Sequence, residues 1–148
     1  MPYTYKYPRP MVTVDILLLR RVGGELQILL IRRDKTPFRG SWALPGGYIH
    51  RDESLEAAAR RELREETGQE NLPLRQLGAY GDPGRDPRGH TVTIVYGGVI
   101  ETDKPVQPVA GSDAGQAQWF PAEQLPELAF DHARIIAERL GELRDSPG

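Results

Sequence analysis

Three glutamates, Glu62, Glu65 and Glu66, lie close together in segment 54–68, whose composition is typical of a helix. At about 100° per residue, Glu62 and Glu66 fall inside the apolar arc of that helix and Glu65 falls at its border. Removing ionised carboxylates from water costs several kcal/mol each unless they are paired or bound to a metal. Because Mg²⁺ is held by a few carboxylates together with substrate phosphates, the pattern predicts half of a metal site facing a cleft.

The alternative is that this helix is exposed and that its acids are solvated, as on many acidic helices. Its ends are well marked, since Ser54 is a suitable N-cap and Gly68 a natural stop. Arg61, four residues before Glu65, can neutralise one of the acids. The apolar arc comprises Leu55, Ala58, Ala59 and Leu63, and the opposite face carries Glu56, Arg60 and Arg64.

Strands are predicted on both sides of this helix. Aliphatic, β-branched and aromatic runs predict strands at 11–20, 26–32, 42–44, 74–80, 91–101 and 117–120, and apolar periodicity predicts a second helix at 131–143. Gly23 and Gly24 favour an antiparallel hairpin between the first two strands. Segments 34–48 (apart from the short strand) and 81–89 are rich in Gly and Pro and are predicted to be loops. This order favours the α/β class, as an α/β/α sandwich around a mixed sheet.

The composition excludes several classes of protein. The chain has 148 residues, and we expect an extended arm at 1–10 followed by a single domain at 11–148. It contains no cysteine, which rules out a disulfide scaffold, a thiol nucleophile and a cysteine zinc site. The net charge of −2 argues against general binding to duplex nucleic acid. The aliphatic runs are far shorter than the about 20 residues of a membrane span, so we expect a soluble, cytoplasmic protein that binds neither nucleic acid nor membrane.

Segment 47–69, GYIHRDESLEAAARRELREETGQ, resembles the Nudix box, the signature of hydrolases that cleave a nucleoside diphosphate linked to another group. The departure from the pattern is Gln69, where an aliphatic residue is usual. The preceding WALPGG, 42–47, also resembles the approach to the box in this superfamily. The matching positions, in order, are Gly47, Glu53, Arg61, Glu62, Leu63, Glu65, Glu66 and Gly68.

The resemblance implies roles for the acidic residues. Glu62, Glu65 and Glu66 would bind Mg²⁺ or Mn²⁺, Arg61 would orient a glutamate, and Glu53 would be a further ligand or a partner of one. Bound metal ions neutralise the pyrophosphate, polarise its phosphorus and acidify the attacking water. Glu62, Glu65, Arg61 and Glu53 are therefore the predicted catalytic residues.

Gly46 and Gly47 would let the backbone bend close to the metal, with Gly46 offering a carbonyl ligand and Gly47 contacting the substrate. Both could instead be ordinary turn glycines. For the general base we prefer Glu62 or Glu65, and Asp113 is an outside candidate. Related sequences often place an acid at the position of Gln116, but an amide cannot accept the proton.

A second, less specific resemblance concerns the substrate. Segments 80–96 and 119–132 resemble the small ADP-ribose pyrophosphatase branch, which implies hydrolysis of ADP-ribose to AMP and ribose 5-phosphate. Arg85 and Arg88 would reach the substrate phosphates or a ribose, since a guanidinium suits bidentate phosphate recognition. His132 would lie near the ribose. Alternatively, segment 82–89, which contains both arginines, is a solvated turn with local Asp–Arg pairs, and His132 is an ordinary polar residue.

Two other functions stay open. One is a regulator that keeps a Nudix-like domain only to sense ADP-ribose, although the nearly complete box favours an enzyme. The other is a hydrolase of a different nucleotide, such as an oxidised nucleoside triphosphate or a dinucleoside polyphosphate. Relatives often pair, and the alternating Tyr3, Tyr5 and Tyr7 could serve a homodimer, although packing or stacking on an adenine are alternatives.

Overall fold

The computed structural model describes residues 4–101 and 114–144. Within them the chain forms two helices and seven strands. Each predicted element is present; the strand predicted at 91–101 has the predicted ends, and each of the others differs at one or both ends. The strands are β1 (Met11–Val22), β2 (Glu25–Arg33), β3 (Trp42–Ala43), β4 (Gly46–Tyr48), β5 (Arg75–Tyr80), β6 (Thr91–Glu101) and β7 (Ala114–Pro121), and the helices are α1 (Leu55–Thr67) and α2 (His132–Arg144).

The described strands form one mixed sheet in the order β3-β2-β1-β6-β5, in which β4 also pairs with β1 and β7 with β2. The β1–β6 pair is parallel, and the other pairs are antiparallel. The predicted hairpin is confirmed, because Val22 pairs with Glu25 and the two intervening glycines have φ of 58° and 83°. Two consecutive positive φ angles belong to the tight turn that suits the twist of a hairpin.

β1 lies at the centre of the sheet and is buried on both faces. Its odd-numbered Leu17 and Leu19 belong to the core cluster that contains Ile135 and Leu143 of α2. Its even-numbered residues Val14, Ile16 and Leu18 belong to the cluster that contains Ala58, Ala59 and Leu63 of α1. Since successive side chains of a strand point to opposite faces, one helix covers each face. The predicted α/β/α sandwich is confirmed.

The loop predicted around Trp42–Leu44 is wrong at its C-terminal end, because Gly46–Tyr48 forms β4. There the backbone pairs with β1, with Asp15 opposite Gly46 and Val14 opposite Gly47. Glycine is a poor strand former, so local composition conceals a strand that this non-local pairing creates.

Residues 4–10 form no helix or strand, and Tyr5 and Tyr7 are exposed. Tyr3 lies outside the described residues, and the division into 1–10 and 11–148 stays a prediction, as does the homodimer. Among the residues that the structure describes, no helix is both long and apolar enough to cross a membrane.

Candidate functional site

Helix α1 delivers the glutamates, and both its ends are capped as predicted. The Ser54 hydroxyl oxygen accepts a hydrogen bond from the Ala57 N–H at 3.1 Å. Gly68 has the left-handed φ of 77° and donates its N–H to the Arg64 carbonyl at 2.9 Å. A glycine adopts this conformation without the steric cost that a side chain would add.

The burial of the three glutamates follows the predicted arc. Glu62 and Glu66 are buried, at 9% and 5% exposure, and both line a cleft of about 380 Å³. Glu65 is different, because its side chain is 39% exposed and does not line the cleft. The alternative of a fully solvated acidic helix is therefore wrong for Glu62 and Glu66.

Glu62 and Glu66 lie against each other. Burial raises the pKa of Glu66 well above its usual value, and the hydrogen bond and negative charge of Glu62 raise it further. The Gly46 N–H donates to Oε2 of Glu66 at 3.3 Å, which partly offsets this rise in pKa. Two carboxylates held together in a buried cleft need a proton or a cation to balance them.

The two glycines of β4 are required by close approach and not by a turn. A Cβ on Gly47 would lie 2.7 Å from Oε1 of Glu62, and one on Gly46 would lie 2.1 Å from the Val14 carbonyl oxygen. Neither glycine has a positive φ. The glycine at position 47 thus makes room for the Glu62 carboxylate beside the strand.

Arg61 donates hydrogen bonds to three acidic side chains, whereas the spacing predicted that it would neutralise one. Its Nε and Nη2 donate to the two oxygens of Glu53 at 2.8 and 2.9 Å. Its Nη1 donates to Glu62 at 2.7 Å and to Glu65 at 3.2 Å. Nη2 also donates to the Tyr48 carbonyl at 3.1 Å, which ties the helix to β4. Arg61 and Glu53 lie behind the cleft wall, so their geometry suits orientation of Glu62.

This network predicts a pH-dependent loss of stability in a Glu53→Gln variant. The hydrogen bonds from Arg61 lower the pKa of Glu53 from 4.5 to about 2. A depressed pKa in the folded state stabilises the fold above the unfolded value and loses this effect as the pH falls toward 2. We expect the variant to lose about 2 kcal/mol of stability at pH 7 and much less at pH 3, as measured by urea unfolding.

Glu56→Gln is the matched control, since its ion pair with Arg60 is exposed and spans 3.8 Å. It should change stability by less than about 1 kcal/mol at either pH. An equal loss at pH 7 and pH 3 in Glu53→Gln would contradict the ionic origin of the effect.

The donor set fits a hard divalent cation. Glu62 and Glu66 supply adjacent buried oxygens, and Gly46 lines the same cleft. In the part of the chain that the structure describes, no three acidic or imidazole side chains converge on one point. Glu65 instead remains with Arg61. Two carboxylates with further positions left to substrate oxygens and water suit Mg²⁺ or Mn²⁺.

Arg85 and Arg88 both line the cleft, but they are held differently. Arg85 donates two hydrogen bonds to Asp131, at 2.9 and 2.7 Å, and its side chain is only 6% exposed. Arg88 is 36% exposed and is held by the buried Asp86, to which Nη2 donates at 2.8 Å. The pair of Arg88 with Asp86 is the local Asp–Arg pairing of the alternative interpretation. The segment nevertheless faces the cleft and is not a solvated turn.

His132 is buried and joins two parts of the site. Its Nδ1 accepts a hydrogen bond from the Leu44 N–H at 3.0 Å, and its Nε2 faces Asp15 at 3.6 Å. Thr93 donates to the same Asp15 oxygen at 2.6 Å. Burial raises the pKa of Asp15, but His132, Thr93 and Arg85 outweigh it and leave the pKa below its usual value.

Sequence reasoning missed Asp15, Asp86 and Phe130, all of which belong to the site. Asp15 was detectable, since a lone acid inside the run MVTVDILLLR, predicted to be a buried strand, is costly without a partner. Asp113 lies outside the described residues. Gln116, which lies in β7, is exposed.

Comparison with known proteins identifies the family. The NUDIX domain model matches residues 9–139. The chain belongs to the Nudix family.

Among curated relatives, the chain is 41% identical to an ADP-ribose pyrophosphatase of Methanocaldococcus jannaschii, over 89% of this chain and 74% of that protein. It is 37% identical to the ADPR responsive transcriptional repressor NtrR of Acinetobacter baylyi, over 94% of this chain and 56% of the repressor. The chain thus spans little more than half the length of this second relative. The predicted absence of nucleic acid binding stays a prediction, because one relative is a transcriptional repressor.

Among solved structures, the NUDIX domain of Shewanella oneidensis NrtR complexed with ADP ribose superposes with a TM-score of 0.80 at 34% identity. The match covers 95% of this chain and 92% of that one. The family match and the archaeal relative support a Nudix pyrophosphohydrolase, so the predicted enzyme class is confirmed.

Proposed function

We propose that this protein hydrolyses ADP-ribose to AMP and ribose 5-phosphate with Mg²⁺ or Mn²⁺. The observation that carries the proposal is the pair of buried, mutually adjacent carboxylates, Glu62 and Glu66, lining a cleft that also contains arginines. Two adjacent buried carboxylates need a cation or a proton to offset their charge, and in this proposal the cation does so when substrate binds. The archaeal relative, an ADP-ribose pyrophosphatase by name, supports the substrate.

In this proposal Glu62 and Glu66 hold the cation, and Gly46 and the substrate complete its ligands. Glu65 is the third candidate ligand, and it would have to turn away from Arg61 to take part. When bound, the cation would offset the charge of the diphosphate and acidify the attacking water. Arg61 and Glu53 keep Glu62 in place through the hydrogen bonds described above.

The reaction adds one water across the diphosphate. The water oxygen bonds to one phosphorus, the bridging P–O bond breaks, and the bridging oxygen leaves with the other phosphoryl group. The water proton passes to a nearby base, and Glu62 is better placed than Glu65 because it lines the cleft. Arg88, which is partly exposed in the cleft, suits the phosphate oxygens, whereas Gly47 and His132 form part of the cleft lining.

A substrate panel tests this proposal. The purified protein is assayed with Mg²⁺ against ADP-ribose, an oxidised nucleoside triphosphate and a dinucleoside polyphosphate, with product release followed by chromatography. We expect ADP-ribose to give AMP and ribose 5-phosphate with the highest kcat/KM and to give no product in EDTA. Preference for another nucleotide would contradict the substrate assignment and leave the family assignment intact.

An ADP-ribose sensor is the second candidate, favoured by the similarity to NtrR and to the NrtR domain bound to ADP ribose. A sensor would bind ADP-ribose in a titration and release no AMP with either metal. Turnover with Mg²⁺ would exclude a purely sensory role.

A further inference from the structure

Two guanidinium groups lie beside one aromatic ring in the cleft. The Cζ of Arg33 is 5.1 Å from the centre of the Phe130 ring, and the Cζ of Arg88 is 5.2 Å from it. Arg88 also lies 4.9 Å from the centre of the Tyr48 ring. All four side chains line the cleft that contains Glu62 and Glu66. Aromatic faces attract cations at these distances, so Phe130 keeps both guanidinium groups in place.

The two arginines keep donors that no described residue uses. Arg33 donates through Nε to the Pro37 carbonyl at 2.8 Å, and its two terminal nitrogens bond to none of the residues that the structure describes. These two nitrogens are accessible to solvent, because every buried side-chain nitrogen in the described ranges has a hydrogen-bond partner and these two have none. Arg88 uses Nε and Nη2 on Asp86, which leaves Nη1. Arg85, in contrast, engages all three nitrogens with Asp131 and the Thr91 carbonyl.

The charge of Arg33 is partly offset at longer range by the carboxylates of Glu66, Asp86 and Asp15. Arg88 is offset by Asp86, but no carboxylate among residues 4–101 and 114–144 lies within ion-pair distance of Arg33. Burial lowers the pKa of Arg33, and the nearby charge of Arg88 lowers it further. An arginine stays protonated in a protein regardless, so this arrangement favours an anion close to both guanidinium groups.

The backbone is strained where the rings are placed. Phe130 has φ of 53° and Phe38 has φ of 61°, and the two rings meet edge to face with centroids 4.8 Å apart. A bulky residue with positive φ is costly and persists only where the surroundings impose it. The strain lies at the ring that supports both arginines.

We propose that Arg33 and Arg88, held by Phe130, bind the oxygens of one phosphoryl group of the diphosphate, with the two terminal nitrogens of Arg33 forming the main contact. This proposal rests on the proposed function and assigns a residue of β2 to substrate binding. Arg85 takes no part in contact with the phosphoryl group and instead holds the loop to α2 through Asp131.

Binding of inorganic pyrophosphate in EDTA tests the arginine pair without metal or turnover. Isothermal titration would compare the wild type with Arg33→Met, Arg33→Lys and Arg32→Met. Arg32 is the matched control, because it precedes Arg33 on β2, is exposed, and donates only to the Gly40 carbonyl. We expect Kd to rise at least about tenfold for Arg33→Met, since the variant loses charge-assisted hydrogen bonds to the phosphoryl oxygens, and to change less than about twofold for Arg32→Met.

Arg33→Lys should recover part of the affinity, because it restores the charge but not the fork of two donors. Thermal melting of each variant separates lost binding from lost folding. An unchanged pyrophosphate Kd in folded Arg33→Met would overturn the proposal. So would a loss that equals that of Arg32→Met.

The outcome is separable from that of the proposed function. If ADP-ribose is inert but pyrophosphate binding depends on Arg33, the phosphoryl site stands and the substrate assignment fails. If ADP-ribose is hydrolysed and its KM is indifferent to Arg33→Met, the reaction stands and the phosphoryl site fails.

Discussion

A Glu66→Gln variant should lose catalytic turnover by about a thousandfold, which corresponds to about 4 kcal/mol in the activation barrier. Glutamine preserves the shape of the side chain and its hydrogen bond from the Gly46 N–H, but it removes the charge that a divalent cation requires. The measurement is kcat for ADP-ribose at saturating Mg²⁺.

The same variant should unfold at a higher temperature than the wild type in EDTA at pH 8. Burial and Glu62 raise the pKa of Glu66, so the folded state binds a proton more tightly than the unfolded state. Such a group destabilises the fold above the unfolded pKa, and the penalty disappears as the pH falls below it. The gain in melting temperature should therefore be present at pH 8 and absent at pH 4.

Glu70→Gln removes the same charge from an exposed position just beyond α1. It should leave both kcat and the melting temperature close to those of the wild type. Wild-type turnover in Glu66→Gln would contradict the role of Glu66 as a metal ligand. A lower melting temperature than the wild type in EDTA at pH 8 would contradict the claim that Glu62 and Glu66 repel each other in the folded state.

Gly47→Ala should lower kcat/KM by about a hundredfold with little loss of stability. The new Cβ would lie 2.7 Å from Oε1 of Glu62, so the carboxylate must move. It can move because it ends a flexible side chain, and the unfolding free energy should change by no more than about 1 kcal/mol. A displacement of about 1 Å at a reacting centre can cost a factor of about 100 in rate.

Two glycine variants serve as controls for this prediction. Gly46→Ala would bring its Cβ within 2.1 Å of the Val14 carbonyl oxygen, which is backbone of the central strand. It should therefore destabilise the fold itself. Gly141→Ala meets nothing within 4 Å in α2 and should stabilise the protein by about 0.5–1 kcal/mol without changing activity. Wild-type activity in Gly47→Ala would show that the position of Glu62 is not critical.

The parts of the site that depend on local spacing could be predicted from the sequence. The caps Ser54 and Gly68 and the inward faces of Glu62 and Glu66 follow from helix geometry alone. The i,i+4 spacing also predicted the contact of Arg61 with Glu65, and the resemblance to the Nudix box added that Arg61 orients a glutamate. Each of these contacts spans at most eight residues.

Contacts between distant segments could not be predicted in this way. Phe130 meets Arg33 because β2 and the segment before α2 are brought together by the sheet, and His132 meets Asp15 across more than a hundred residues. The parallel pairing of β1 with β6 has no local signal either. These contacts define the part of the cleft that the arginines line. The different surroundings of Arg85 and Arg88 could therefore not be predicted from local sequence.

Titration of the protein with Mn²⁺, after removal of bound metal with EDTA, tests most directly whether Glu62 and Glu66 form a metal site. Calorimetry would compare the wild type with Glu62→Gln, Glu66→Gln and Glu70→Gln. Proton release, measured in buffers of different ionisation enthalpy, should accompany binding, because burial and Glu62 raise the pKa of Glu66 and a proton therefore competes with the metal for this carboxylate. We expect Kd to rise at least about tenfold in the first two variants and to stay unchanged in the third. Equal Mn²⁺ affinity in all four proteins would contradict the assignment of these buried carboxylates to the metal.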